Sequence, residues 1–257
     1  MCRRNRNRLS KTNPDRVAYS RAMAARKSVV AVLVFRANGK VESGSGFVVS
    51  SDLVLTSSHC MGVEELEDED VLCVRRPKFP RGVEQLPATI VCRDILMDVA
   101  VLKVAGLTCA SPLRFAPEED ATVGESVISV GYCDPDALLT GVTFSRLPIL
   151  SPGLVRPEGT RYLCTHKGIQ LYHVLLTCVS MEGMSGGPIL SRRGVIGMVD
   201  CGGRGAIEMG GHSYTEAKAP RTIIQVLKRY LVLQGILTQE EAIGREMTME
   251  EVLDLIA

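Results

Sequence analysis

Short apolar runs of four to eight residues, separated by Gly, Pro, Asn, Asp and Ser, recur along most of this 257-residue chain. The strongest is Ser28–Phe35 (SVVAVLVF), which stops at an Ala37-Asn38-Gly39 turn. Others fall at 46–50, 53–56, 71–76, 88–93 and 99–104. The stretch from Cys109 to Asp120, with Pro112, Pro117 and Glu118-Glu119-Asp120, reads as a linker. A second set follows near 126–131, 142–149, 162–165, 173–178, 188–191 and 194–200. Runs this short, without long helical patterns between them, cannot build a parallel βαβ sheet. Two groups of about six predict an all-β fold of two packed antiparallel six-stranded barrels, with helices at both ends.

The domain boundaries follow. Residues 1–27 form a basic N-terminal tail and helix, 28–110 the first barrel, 111–122 the linker, 123–215 the second barrel and 216–257 C-terminal helices. Asp15–Lys27 is compatible with a helix. Pro220–Leu233 starts on a proline, carries an apolar stripe (Ile223, Ile224, Val226, Leu227, Tyr230, Leu231) and stops at Gly235. Thr238–Met247 and Thr248–Ile256 read as two short helices, the second opened by a Thr248-Met249-Glu250-Glu251 capping box.

The chain contains no Trp and only 4% aromatic residues, so Val, Leu, Ile and Met must fill the cores. No apolar run approaches the roughly 20 residues of a membrane helix, and no membrane role is expected. The net charge of +1 hides an asymmetry: residues 1–27 hold nine Lys/Arg against Asp15, and the remainder is acidic, notably at Glu64–Asp70. That basic head lacks the apolar core of a secretory signal. It fits an organellar transit peptide, a nuclear address, an anion-binding arm or a plain solvated tail. Nucleic acid is not expected as a partner on this feature alone, and no pattern indicates an oligomeric state. The nine cysteines form no C-x-x-C pair, so no metal site is expected. They read as reduced, buried thiols of an intracellular protein, cytoplasmic or nuclear, with organellar import through the basic head as the alternative.

Chemistry concentrates at Gly183-Met184-Ser185-Gly186-Gly187-Pro188. Its glycines permit backbone angles closed to other residues, and Pro188 stiffens the exit. One serine is left at the tip of a turn, and the N–H groups of Gly183 and Ser185 can converge beside its hydroxyl as an oxyanion hole. Such a serine needs a base and a group that orients the base. His59 follows two short strands and a small-residue loop, Leu55-Thr56-Ser57-Ser58. Asp98 opens the strand Val99–Val104, a rim position where its charge needs a polar partner such as an imidazole N–H. His166, His173 and His212 read as surface or core histidines. Gly183–Gly187 also fits the Gly-x-Ser-x-Gly elbow of α/β-hydrolases, with Ser185, Asp200 and His212 as its triad. An elbow must lead into a helix, and Gly186-Gly187-Pro188 starts one poorly.

Leu55-Thr56-Ser57-Ser58-His59-Cys60 resembles the histidine motif of chymotrypsin-like serine proteases. Asp98–Leu102 resembles their aspartate motif and Gly183–Pro188 their Gly-Asp-Ser-Gly-Gly-Pro, in the same order. Within that superfamily, Ser43–Val49, Val123–Gly131 and Gly141-Val142-Thr143 are most similar to Deg/HtrA-type proteases. The likeness runs from about Ser28 to about Tyr214. It implies a serine endopeptidase acting on protein or peptide substrates without a cofactor: Ser185 as nucleophile, His59 as base, Asp98 orienting it, and the Gly183 and Ser185 N–H groups as the oxyanion hole.

The resemblance also implies departures. The β-strand cysteine partner of the residue after the catalytic histidine has no counterpart here. Met184 stands where zymogen-activated relatives carry an aspartate, so activation by a freed N-terminus is not expected. The 35 residues or so that follow the start of the helix at Pro220 are too few for the PDZ domain usual in Deg-type enzymes. By alignment Val179 floors the primary specificity pocket and Asp200-Cys201-Gly202 form a wall. A Val floor favours a small or medium apolar side chain, unless the Asp200 carboxylate turns inward and favours a basic one. The competing expectation is an inactive protease homologue that binds peptides or proteins, suggested by Glu182 and Met184 beside the serine.

Overall fold

The computed structural model describes residues 15–62, 65–77, 82–107, 111–117, 121–133, 147–164, 170–201 and 215–256. Six antiparallel strands, β1 (Val29–Phe35), β2 (Val41–Val48), β3 (Leu53–Thr56), β4 (Val71–Pro77), β5 (Val83–Asp94) and β6 (Val99–Val104), close into a barrel in the order β1-β2-β3-β6-β5-β4. The continuous apolar run of β1 has a simple cause, burial on both faces. Val30, Val32 and Val34 join Val54, Leu102 and Val104 inside the barrel. Val29, Ala31 and Leu33 face a second apolar cluster with Phe47, Leu55 and Val101. A strand covered on both sides has no reason to alternate with polar residues.

The second barrel, β7 (Ser126–Gly131), β8 (Ile149–Cys164), β9 (Gln170–Leu176), β10 (Pro188–Ser191), β11 (Val195–Cys201) and β12 (Thr215–Lys218), closes as β10-β11-β12-β9-β8-β7. Two expectations change here. The strand expected at 162–165 is the end of one long strand, β8, that begins at Ile149, and residues 142–146 of the strand expected at 142–149 lie outside the described residues. Pro152, Gly153, Pro157 and Gly159 read as breakers, but a register shift against β9 between Val155 and Thr160 absorbs the irregularity. The sixth strand is instead β12, which carries the second barrel three residues past the expected boundary at 215.

The linker is stitched to both barrels: Leu113 N–H donates to Val48 O of the first at 2.8 Å, and Ala116 N–H to Val195 O of the second at 2.8 Å. Helix α1 (Arg16–Ala25) is capped by the Asp15 carboxylate and buries Ala18, Ala22 and Ala25. Helix α2 (Pro220–Leu233) buries Ile223, Val226, Leu227 and Leu231 and packs on β5 and β6 of the first barrel and β9 of the second. Two short helices follow, α3 (Gln239–Gly244) and α4 (Met249–Ile256), opened by the Thr238–Glu241 and Thr248–Glu251 reciprocal hydrogen bonds.

Ser45 is the joint between barrels. Fully buried on β2, it donates its N–H to Ser185 O at 2.8 Å and its hydroxyl to Gly183 O at 2.7 Å. Its Oγ also accepts the Tyr132 N–H at 2.8 Å. Gly186 lies close under Ser45, with φ +82°, and any Cβ there would collide with the Ser45 carbonyl. Gly39 has nearly the same φ, +83°, but open space around it. Gly39→Ala should therefore lose only about 1 kcal/mol of unfolding free energy, from the backbone angle. Gly186→Ala should lose at least about 2 kcal/mol more through the clash. Urea unfolding of the two variants checks this; equal losses contradict the joint described.

Candidate active site

The turn bearing Ser185 is built from its own backbone and one buried side chain. Met184 N–H donates to Met181 O at 3.0 Å and Gly187 N–H to Met184 O at 3.0 Å. Gly183 has φ +88°, a value that suits the third residue of a type II turn and favours glycine. The Met184 side chain is fully buried in the core of the second barrel, with Val127, Ile189 and Val199. Packing, rather than an ion pair, anchors this residue. Ser185 is 9% exposed. Cys60, next to His59, directs its Sγ to Ser185 O at 3.4 Å, so the histidine loop and the serine turn touch. Burial pushes the Cys60 thiol up to about 12, which leaves it unreactive.

His59 sits in a one-turn 3₁₀ segment, Ser58–Met61, directly after β3. Arg93 of β5 grips both ends of that segment: its Nε donates to Ser58 Oγ at 2.8 Å, and its Nη2 to the Gly62 carbonyl. Asp98 receives the histidine twice. His59 Nδ1 lies 2.8 Å from Asp98 Oδ2, and the His59 backbone N–H donates to Asp98 Oδ1 at 2.7 Å. The second bond fixes the carboxylate plane. Asp98 itself has φ +50°, the left-handed region that Asp tolerates better than most residues. The preceding turn holds it there: Asp94 Oδ1 accepts the Leu96 and Met97 N–H groups at 2.9 and 2.8 Å, while its Oδ2 takes Arg229 of α2 at 2.6 Å.

The acid also has a partner that sequence reasoning missed. Lys218 of β12, only 1% exposed, donates to Asp98 Oδ2 at 2.8 Å and to Asp200 Oδ1 of β11. Its Nζ lies 3.4 Å from Ser57 Oγ. His173 of β9, the cross-strand neighbour of Lys218, brings Nδ1 to 3.3 Å from Asp200 Oδ2, without hydrogen-bond geometry. A lysine flanked by alanines gave one available signal, Ala217-Lys218-Ala219, but nothing local predicts its burial. Burial opposes the charge of Asp98, yet the His59 hydrogen bond and Lys218 outweigh it and hold the carboxyl well below the usual range. Burial likewise opposes the Lys218 charge, and Asp200 and Asp98 more than compensate, so its affinity for a proton is raised. Burial, the largest influence on His173, lowers its proton affinity.

The ligand atoms of His59, Asp98 and Asp200 lie within 4.8 Å of one another, as do those of His173, Asp200 and Glu216. The Lys218 ammonium already supplies a positive charge to these carboxylates. Of the expected pocket residues, Val179 is 59% exposed on the loop after β9, not an enclosed floor. The Asp200 carboxylate is committed to Lys218. Cys201 ends β11, and Gly202, His166 and His212 lie outside the described residues. The fold is that of paired barrels, which excludes the elbow reading built on Ser185, Asp200 and His212.

The depressed Asp98 pKa has a consequence for stability. A carboxylate favoured by the fold contributes stability above its unfolded-state value, about 4, and loses it as the pH falls. Asp98→Asn should therefore lose less unfolding free energy than the parent between pH 5 and about pH 3. Urea titrations at several pH values check this; parallel losses contradict it.

The chain is 30% identical to serine protease Rv3671c of Mycobacterium tuberculosis over 161 residues, 62% of this chain and 36% of that protein. It is 24% identical to serine protease PepD of the same organism over 151 residues, 58% of this chain and 31% of PepD. The chain thus spans about a third of the length of the curated relatives it matches. In fold it is similar to the crystal structure of the active form of the Rv3671c protease, with a TM-score of 0.63 and 23% identity, covering 83% of this chain and 86% of that one. The inactive form gives a TM-score of 0.60 at 23% identity, covering 84% and 96%. Residues 44–198 match the family described as Trypsin-like peptidase domain, and over that span the chain carries the His59, Asp98 and Ser185 segments in order. The chain belongs to the trypsin-like peptidase domain family.

Proposed function

We propose that this chain is a serine endopeptidase that cleaves peptide bonds through Ser185, His59 and Asp98. The observation that carries the reading is the double engagement of Asp98 by His59, through Nδ1 at 2.8 Å and the backbone N–H at 2.7 Å. A carboxylate on Nδ1 holds the tautomer whose Nε2 is free to accept a proton. His59 then takes the Ser185 proton as the hydroxyl attacks the scissile carbonyl. The tetrahedral oxyanion is met by the N–H groups of Gly183 and Ser185, each worth roughly 3–4 kcal/mol of barrier. His59 returns the proton to the leaving amine, and a water repeats the sequence on the acyl-enzyme.

Asp98 stabilises the imidazolium without taking its proton. The positive φ of Gly183 and the anchored Met184 support a turn held in shape for this role. The Ser43–Val49 and Val123–Gly131 segments favour the Deg/HtrA branch of the family. The Asp200 carboxylate is tied to Lys218 and is not offered to a basic substrate side chain, which favours a small or medium apolar residue before the cleaved bond.

A fluorophosphonate probe on the full chain tests the reading. The parent should be labelled at Ser185, and Ser185→Ala should abolish labelling. Casein hydrolysis should fall by about 10⁴-fold or more in Ser185→Ala or His59→Ala. A folded parent that resists the probe supports the binding-module alternative instead.

A further inference from the structure

Among the described residues, the catalytic cleft holds one more carboxylate than the reaction uses and one buried lysine that the reaction does not use. Asp200 and Asp98 both reach within 4.8 Å of His59 by their ligand atoms. Two uncompensated carboxylates beside one imidazole would favour its protonated form strongly, because each opposite charge within about 4–6 Å moves such an equilibrium by one unit or more. Lys218 lies against both acids at once, with its side chain removed from water. The charge that His59 faces is thereby reduced to about that of a single carboxylate. A side chain whose only purpose was to fill β12 would be apolar, since replacing a buried ion network with packed apolar groups is often neutral or stabilising.

We propose that Lys218 is a positioning residue that cancels the charge of Asp200 and fixes Asp98 Oδ2, and so holds the charge facing the hydrolytic base to about that of one carboxylate. The proposal rests on His59 being that base. The groups facing the cluster come from every element around it. They are His59 and Cys60 from the 3₁₀ segment, Arg93 from β5, Asp98 before β6, His173 from β9, Asp200 from β11 and Glu216 from β12. Of these, Asp98 and Asp200 contact Lys218 directly, and their charges oppose its own. Lys218 acts on the reaction only through Asp98 and Asp200, so it touches neither substrate nor reacting atoms.

The two substitutions of this pair should act in opposite directions. Asp200→Asn keeps the shape and the hydrogen-bond acceptor for Lys218 but removes one negative charge. The acid limb of reactivity should then move down by about one pH unit. Lys218→Met removes the positive charge and should move the limb up by about one pH unit or more. The double variant restores the charge balance and should return to within about 0.3 of the parent, a small fraction of a single-charge effect. Lys218→Arg should match the parent.

The measurement is the second-order rate of fluorophosphonate labelling of Ser185 between pH 4.5 and 8 on the full chain, a reaction whose probe has no titrating group. Folding is checked by circular dichroism. If Lys218→Met does not fold, the Asp200→Asn and double variants decide the matter. A purely structural lysine would lower the rate at every pH and leave the limb where it is. A fixed limb in Asp200→Asn, or one that moves up, overturns this proposal and leaves the endopeptidase reading intact. A parent that is not labelled at any pH overturns both.

Discussion

The seating of the Ser185 turn on β2 through Ser45 is the contact on which the site depends. One buried serine offers its N–H and its hydroxyl hydrogen to the serine turn, at Ser185 O and Gly183 O, and its hydroxyl lone pair to the Tyr132 N–H after β7. Its own carbonyl accepts Thr56 Oγ1 at 2.7 Å, which ties the end of β3 to the same point. His59 leaves from that end of β3 three residues later. The two halves of the site are therefore referenced to one residue rather than to two independent scaffolds. Gly186 is required because no Cβ fits beneath Ser45. Small residues at 44–46 and 183–187 serve this close approach as much as they serve the chemistry.

The electrostatics are layered around that joint. Asp98 is held by backbone and side-chain donors, by a turn capped through Asp94, and by a strained left-handed conformation that other residue types enter at a cost of about 1–3 kcal/mol. Arg229 couples that turn to α2, which also bridges the two barrels. Helix α2 thus bears on the geometry of the Asp98 carboxylate. Beneath it the chain buries Lys218 and His173 against a partly buried Asp200, a polar layer at a place where an apolar layer would cost less desolvation.

Much of this was legible in the sequence. In the first barrel β1, β3 and β6 were legible to within a residue, because apolar runs buried on both faces need no partner information to be recognised, whereas β2 and β5 start five residues before the expected 46 and 88, in stretches whose burial is only partial. The segments around His59, Asp98 and Ser185 stood out because glycines, small residues and a lone histidine or aspartate occur there for steric and chemical reasons that are local. The rest depends on pairing. β8 was hidden by Pro152, Gly153, Pro157 and Gly159, whose disruption is absorbed by a register shift visible only against β9. β12 was hidden because Thr215-Glu216-Ala217-Lys218 carries two charges in four residues, and a charged strand reads as solvated loop. Lys218 is buried only because β11 brings Asp200 and the turn before β6 brings Asp98 to the same spot. Val179 was placed as a pocket floor by counting from Ser185, and its 59% exposure shows that counting does not fix side-chain direction.

A crystal structure of the full chain inactivated with diisopropyl fluorophosphate tests the account most directly. The account predicts phosphorus bonded to Ser185 Oγ, a phosphoryl oxygen within about 3 Å of the Gly183 and Ser185 nitrogens, and Lys218 Nζ between Asp98 and Asp200. A phosphoryl oxygen turned to solvent, with a carbonyl of the 181–184 turn in its place, would contradict it.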